Sequence, residues 1–149
     1  MRSKIVLALA TSLIAASVAY AADLKPFQEE AKEKFDSQAT SFITEINTAC
    51  GTKFGPIKSD FENFDPKNFA SKQAGTACSE TAYNMGELCK VAAYKKAVVA
   101  KIKGIACLTK PSKGPAIDFP GGVLTQHMNQ DKSTAGGDGI NLIKAFLDK

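Results

Sequence analysis

Few residues of this chain have side chains suited to catalysis. His127 is the only histidine, and the sequence contains no Gly-x-Ser-x-Gly elbow, His-Glu-x-x-His helix, phosphate loop or dinucleotide fingerprint. A hydrolase would need a serine or cysteine activated by this one imidazole. His127 shares a predicted strand face with Val123 and Thr125, and Asp131 lies four residues further on. We expect a strand-edge histidine with one hydrogen bond and no catalytic residue; a hydrolase centred on His127 is the less favoured alternative.

The chain has four cysteines: Cys50, Cys78, Cys89 and Cys107. No Cys-x-x-Cys motif occurs, and a zinc site would need nearly all of them together with the one histidine at wide spacings. An even count in an exported chain indicates two disulfides. Cys78 and Cys89 would be about 16 Å apart on an unbroken helix, but Gly86 offers a break between them. We favour Cys78 with Cys89 and Cys50 with Cys107, and the other two connectivities stay open.

A glycine-rich segment, GGDGIN, occupies residues 136–141. It lacks the lysine of a phosphate-binding loop and follows no convincing strand. Laid on a calcium-binding loop that begins at Asp131, the sequence puts Ala135 and Leu142 where oxygen ligands are required. We therefore predict no metal site and no cofactor, and interpret the segment as a connection to the last helix.

Residues 89–117, CKVAAYKKAVVAKIKGIACLTKPSKGPAI, include seven lysines and no acidic residue. On a helix over 90–103 that is extended to 105, one apolar arc contains Val91, Tyr94, Val98, Ile102 and Ile105. Such a buried stripe with lysine borders is typical of an ordinary solvated helix. The alternative is an anion-binding face for an acidic protein, a polyanion or anionic lipid. This candidate face consists of Lys90, Lys95, Lys96, Lys101 and Lys103.

The N-terminal residues have the pattern of a secretory signal peptide. Arg2 and Lys4 precede an apolar stretch, and Ala19-Tyr20-Ala21 supplies small residues for cleavage after position 21. This pattern predicts an exported protein, in a bacterial periplasm or outside the cell, with no transmembrane anchor after cleavage. Cleavage would leave residues 22–149 as a single globular domain and lower the formal charge from +4 to +2. So small a net charge argues against a nucleic-acid partner.

Hydrophobic periodicity divides the rest of the chain into helices and strands. It predicts amphipathic helices over 23–50, 76–88, 90–103 and the C-terminus, with Asp23 as the first cap and Gly51 as a left-handed terminator. A short strand near 54–60 precedes a turn or single helical turn, and the four aromatics of this region are expected to cover the core: Phe54, Phe61, Phe64 and Phe69. The runs IACLT, AIDF and VLTQHM predict a three-stranded antiparallel meander. The fold class is α+β, with helices on a small antiparallel sheet stabilised by disulfides.

These observations favour a small exported non-catalytic protein, an interaction or inhibitor-like module with an unknown protein partner. The first alternative is a membrane-active or polyanion-binding protein that uses the lysine-rich helix 90–103. The second is the His127 hydrolase.

Overall fold

The computed structural model of the protein describes residues 23–69, 76–110, 116–127 and 137–149. The predicted signal peptide lies outside these ranges, and no helix within them is long and apolar enough to cross a membrane. The helices of the described residues are α1 (Pro26–Cys50), α2 (Thr76–Leu88), α3 (Ala92–Lys101) and α4 (Gly137–Leu147). The strands are β1 (Lys58–Ser59), β2 (Gly104–Leu108), β3 (Ile117–Asp118) and β4 (Val123–His127). Helices packed on a four-stranded sheet with two disulfides confirm the α+β class.

Helix α1 begins and ends at identifiable cap residues. Its N-cap is Lys25, whose backbone N–H donates to Gln28 Oε1 at 2.9 Å, so the prediction that Asp23 caps this helix is wrong. Gln28 is buried, and its Nε2 donates to the carbonyls of Glu62 and Phe64, which satisfies the amide. At the other end Gly51 has φ +71°, as predicted, and its N–H donates to a carbonyl of the last turn.

The sheet is mixed, so the predicted antiparallel meander is wrong. The strand order is β1-β2-β4-β3; β1 and β4 both run parallel to β2, and only β3 and β4 are antiparallel. In both β2 and β4 the three middle residues are buried, which requires cover on both faces and therefore central positions. β3 follows β2 in the sequence but lies at the edge of the sheet beyond β4, and residues 119–122 connect it to β4 as a hairpin.

One apolar cluster joins all four helices to β2, β3 and β4. Among its members Phe35, Met85 and Val98 are almost fully buried. The predicted aromatic cover is confirmed where it is described: Phe61 is buried, and Phe54 and Phe64 are half-buried against the cluster. The side chain of Phe69, the fourth aromatic of that prediction, is not among the described ones.

The disulfides join Cys50 to Cys89 and Cys78 to Cys107, so the predicted pairing is wrong. Gly86 does not interrupt α2, which continues to Leu88 and keeps Cys78 and Cys89 at opposite ends of one helix. The first bridge ties the end of α1 to the α2–α3 connection, and the second ties the start of α2 to β2. In the loop-entropy model each bridge contributes about 3.5–4 kcal/mol.

Helix α3 is shorter than the predicted 90–103. It ends at Lys101, because Ile102 has extended backbone angles (φ −90°, ψ 128°) and Ile105 already belongs to β2. Val98, Ile102 and Ile105 are buried as the apolar arc predicted, but Val91 precedes the helix and is 51% exposed. The predicted apolar arc therefore includes residues of α3, of the link after it and of β2.

Candidate functional site

His127 stands at the end of β4 and faces the edge strand β3. Its Nε2 lies 3.2 Å from Asp118 Oδ2, and its backbone N–H donates to Ala116 O at 2.8 Å. The predicted single side-chain hydrogen bond is confirmed, with Asp118 as the partner. Asp131, the residue that the sequence offered, lies outside the described residues. The other carboxylate oxygen of Asp118 is buried, and no described group hydrogen-bonds to it.

A hydrolase requires a nucleophile on the second ring nitrogen of this histidine. Among the described residues no serine, threonine or cysteine contacts that nitrogen, and all four cysteines are in disulfides. No group of histidine, cysteine and acidic side chains in the described ranges could hold a metal ion. Within the described residues, the His127–Asp118 pair joins β4 to the edge strand β3.

The structure separates the five predicted anion-binding lysines, and two of them already have partners. Lys90 precedes α3 and forms an ion pair with Glu87 at the end of α2. The hydrogen bond to Glu87, together with the charge of that carboxylate, raises the pKa of Lys90. Lys101 is half-buried, and its Nζ donates to Leu147 O at 2.6 Å. It thus satisfies a carbonyl in the last turn of α4.

The other three lysines keep exposed side chains. The ammonium group of Lys95 lies beside Gly51, 3.8 Å from the position that a Cβ on this glycine would take. Because α1 has no basic residue in its own last turn, Lys95 supplies a positive charge where the helix dipole is negative. The stem of Lys103 packs near Gly122, and Lys96 projects from the middle of α3. No described acidic group pairs with these three lysines.

The solvent side of α3 has an unusual composition. Six of its ten residues are exposed, and each is either a lysine or an apolar residue. We call this surface the α3 outer face; it consists of Ala92, Ala93, Lys95, Lys96, Val99 and Ala100. Val99 is 54% exposed. The solvent side of α1, by contrast, mixes glutamate, aspartate, lysine, serine, threonine and glutamine.

This outer face is the feature that the sequence analysis missed. The lysine spacing predicted only a charged surface, and the apolar spacing predicted a single buried arc. A signal was present, because AAYKKAVVAK has apolar residues all around the helix, a pattern expected of a helix covered on more than one side. In the described structure only one side is covered: Val98 is fully buried, Tyr94 and Ala97 are partly buried, and Val99 faces outward.

A groove of about 530 Å³ also runs between α1 and the segment 54–59. Its floor includes Ala39 and Ile57, which belong to the core, and its rim carries Lys32 and Asp36. These two charges pair with each other. The groove therefore offers no unpaired charge to a ligand, and we treat it as the seam between α1 and β1.

Comparison of the chain with family models, curated proteins and solved structures finds no match.

Proposed function

We propose that this chain is a small exported, non-catalytic binding protein and that the α3 outer face is its binding surface. The observation that carries the proposal is the composition of this face, in which every exposed residue is apolar or a lysine. Exposed apolar residues in a contiguous patch mark interaction sites more often than ordinary surface. The two disulfides flank α3: Cys89 precedes the helix by three residues, and Cys107 lies in the strand that follows it, so the chain on both sides of the face is covalently tied to the core.

Export is supported by two features of different kinds. The N-terminal pattern of Arg2, Lys4 and the small residues before position 22 is that of a cleaved signal. All four cysteines are paired, and disulfides persist in oxidising compartments such as the bacterial periplasm or the extracellular space. We therefore place the binding function outside the cytoplasm.

Site-specific photo-crosslinking tests the proposal. A photoreactive phenylalanine analogue replaces Val99 on the α3 outer face, and in a separate variant it replaces Thr48 as the matched control. Both positions are exposed, β-branched and in the second half of a helix, but Thr48 lies on the polar side of α1. The proteins are expressed with their signal peptide and irradiated in intact cells.

We expect a discrete protein adduct from the Val99 position and none from Thr48. Equal adduct patterns at the two positions, or no adduct at Val99, would contradict the proposal. Circular dichroism of both variants checks that the substitution leaves the fold intact.

A further inference from the structure

We infer that the partner of the α3 outer face is a protein that presents an acidic helix to it. This inference rests on the proposed function and adds the chemistry of the partner. It requires two properties of the face, an unpaired positive charge and a shape that another helix can approach.

The positive charge comes from Lys95 and Lys96 on the face and from Lys103, two residues beyond the end of α3. All three are exposed, and no described residue forms an ion pair with them. The sequence from 88 to 117 has no acidic residue, and the nearest one before it, Glu87, is already paired with Lys90. A partner with carboxylates would supply the missing counter-charges, so complementarity favours an acidic surface.

The shape comes from the small residues that neighbour these lysines on α3. Ala92, Lys96 and Ala100 follow one another at intervals of four, and Val99 lies three residues after Lys96, so the four residues share one side of the helix. Helices pack at about 8–10 Å between axes, and alanines at the contact permit the shorter distances. The ten residues of α3 extend about 15 Å, enough for some three turns of a partner helix.

An anionic membrane would complement the lysines of the face but would not cover its alanines and valine. Membrane-binding helices insert tryptophan, phenylalanine or leucine, and the α3 outer face has only alanine and valine. Three lysines near an anionic bilayer give a dissociation constant only in the millimolar range. A bare polyanion likewise leaves Val99 and the alanines uncovered. A protein helix with carboxylates beside apolar residues matches both parts.

The experiment measures how the Val99 photo-adduct depends on charge. In the crosslinking protein, Lys95→Glu with Lys96→Glu reverses the charge of the face, and Lys95→Arg with Lys96→Arg preserves it. Because Lys95 also lies at the end of α1, urea unfolding of each variant separates lost binding from lost stability. The matched control changes Lys58→Glu with Lys110→Glu, two exposed lysines elsewhere that give the same net charge as the first pair. We expect at least a tenfold lower adduct yield only for the glutamate pair on α3, and an adduct site in an acidic helical segment of the partner.

Co-sedimentation with vesicles of phosphatidylglycerol and phosphatidylcholine at 0.15 M NaCl provides the second measurement. We expect the wild-type protein to stay in the supernatant. If it pellets, and the α3 glutamate pair abolishes pelleting, the partner is lipid and the inference is wrong. An adduct that forms equally in all three double variants would leave the binding function standing and refute the acidic partner. Absence of any Val99 adduct would refute both.

Discussion

Lys101 and Lys96 lie five residues apart on α3 and have different predicted roles. Lys101 is expected to stabilise the fold, and Lys96 is expected to contact the partner. Replacing each with methionine removes the charge and keeps most of the stem. Lys101 loses its bond to Leu147 O at the end of α4, whereas Lys96 loses only contact with water. We therefore expect Lys101→Met to destabilise the fold and Lys96→Met to leave its stability nearly unchanged.

The expected loss in free energy of unfolding follows from the environment of the Lys101 ammonium group. A hydrogen bond that involves a charged group contributes about 1.5–3 kcal/mol, and a cation near a helix C-terminus about 0.3–1 kcal/mol. Lys101 is only half-buried, and its acceptor Leu147 is the last residue of α4, so solvent screening and fraying of the helix end reduce both contributions. We expect about 1–1.5 kcal/mol for Lys101→Met and less than about 0.5 kcal/mol for Lys96→Met.

Thermal and urea unfolding of the oxidised protein, followed by far-ultraviolet circular dichroism at pH 7, measures both values. A loss of 1–1.5 kcal/mol corresponds to a Tm lower by roughly 3–7 °C for a domain of this size. The Val99 photo-adduct should show the reverse order, reduced by Lys96→Met and little changed by Lys101→Met. Equal stability of the two variants would mean that the hydrogen bond from Lys101 to Leu147 does not form in solution. The assignment of Lys101 to the fold and Lys96 to binding would then be wrong.

The remaining predictions concern the core, a turn and the bridges. Val98→Asp should abolish the cooperative thermal transition, because it buries an unpaired charge at a side chain that is fully buried; a folded Val98→Asp protein would show that the buried and outer sides of α3 are misassigned. Gly121→Ala should cost about 1 kcal/mol for its positive φ alone, whereas Gly122→Ala should cost at least about 2 kcal/mol, since its Cβ would also lie 2.8 Å from a backbone oxygen. Equal urea midpoints for these two variants would contradict that geometry. Non-reducing peptide mapping of the exported protein should find an N-terminus at residue 22 and two bridges; any other linkage would refute the arrangement Cys50–Cys89 and Cys78–Cys107.

Much of the secondary structure could be predicted because its causes are local. The apolar spacing of 23–50 and the glycine at 51 are sufficient for α1 and its end, since a helix turns every 3.6 residues and a left-handed terminator needs no Cβ. The runs near 104, 117 and 123 gave all three later strands. The side-chain partner of the candidate histidine could not be predicted, because Asp118 becomes its neighbour only through the β3–β4 pairing.

The amino-acid sequence by itself determined the helices, the strands, an even number of cysteines and a lysine-rich segment without acids, all of which follow from residue type and short-range spacing. Tertiary structure decided the strand order, the cysteine pairing and the separation of the lysines. Cys78 could have joined any of three cysteines until an unbroken α2 set its distance from Cys89. Lys101 became a structural residue because α4 ends beside it, and Val99 became exposed because no described element covers that side of α3. Such contacts join residues far apart in the chain, and their choice depends on which packing buries the most apolar surface, a quantity that no local pattern contains.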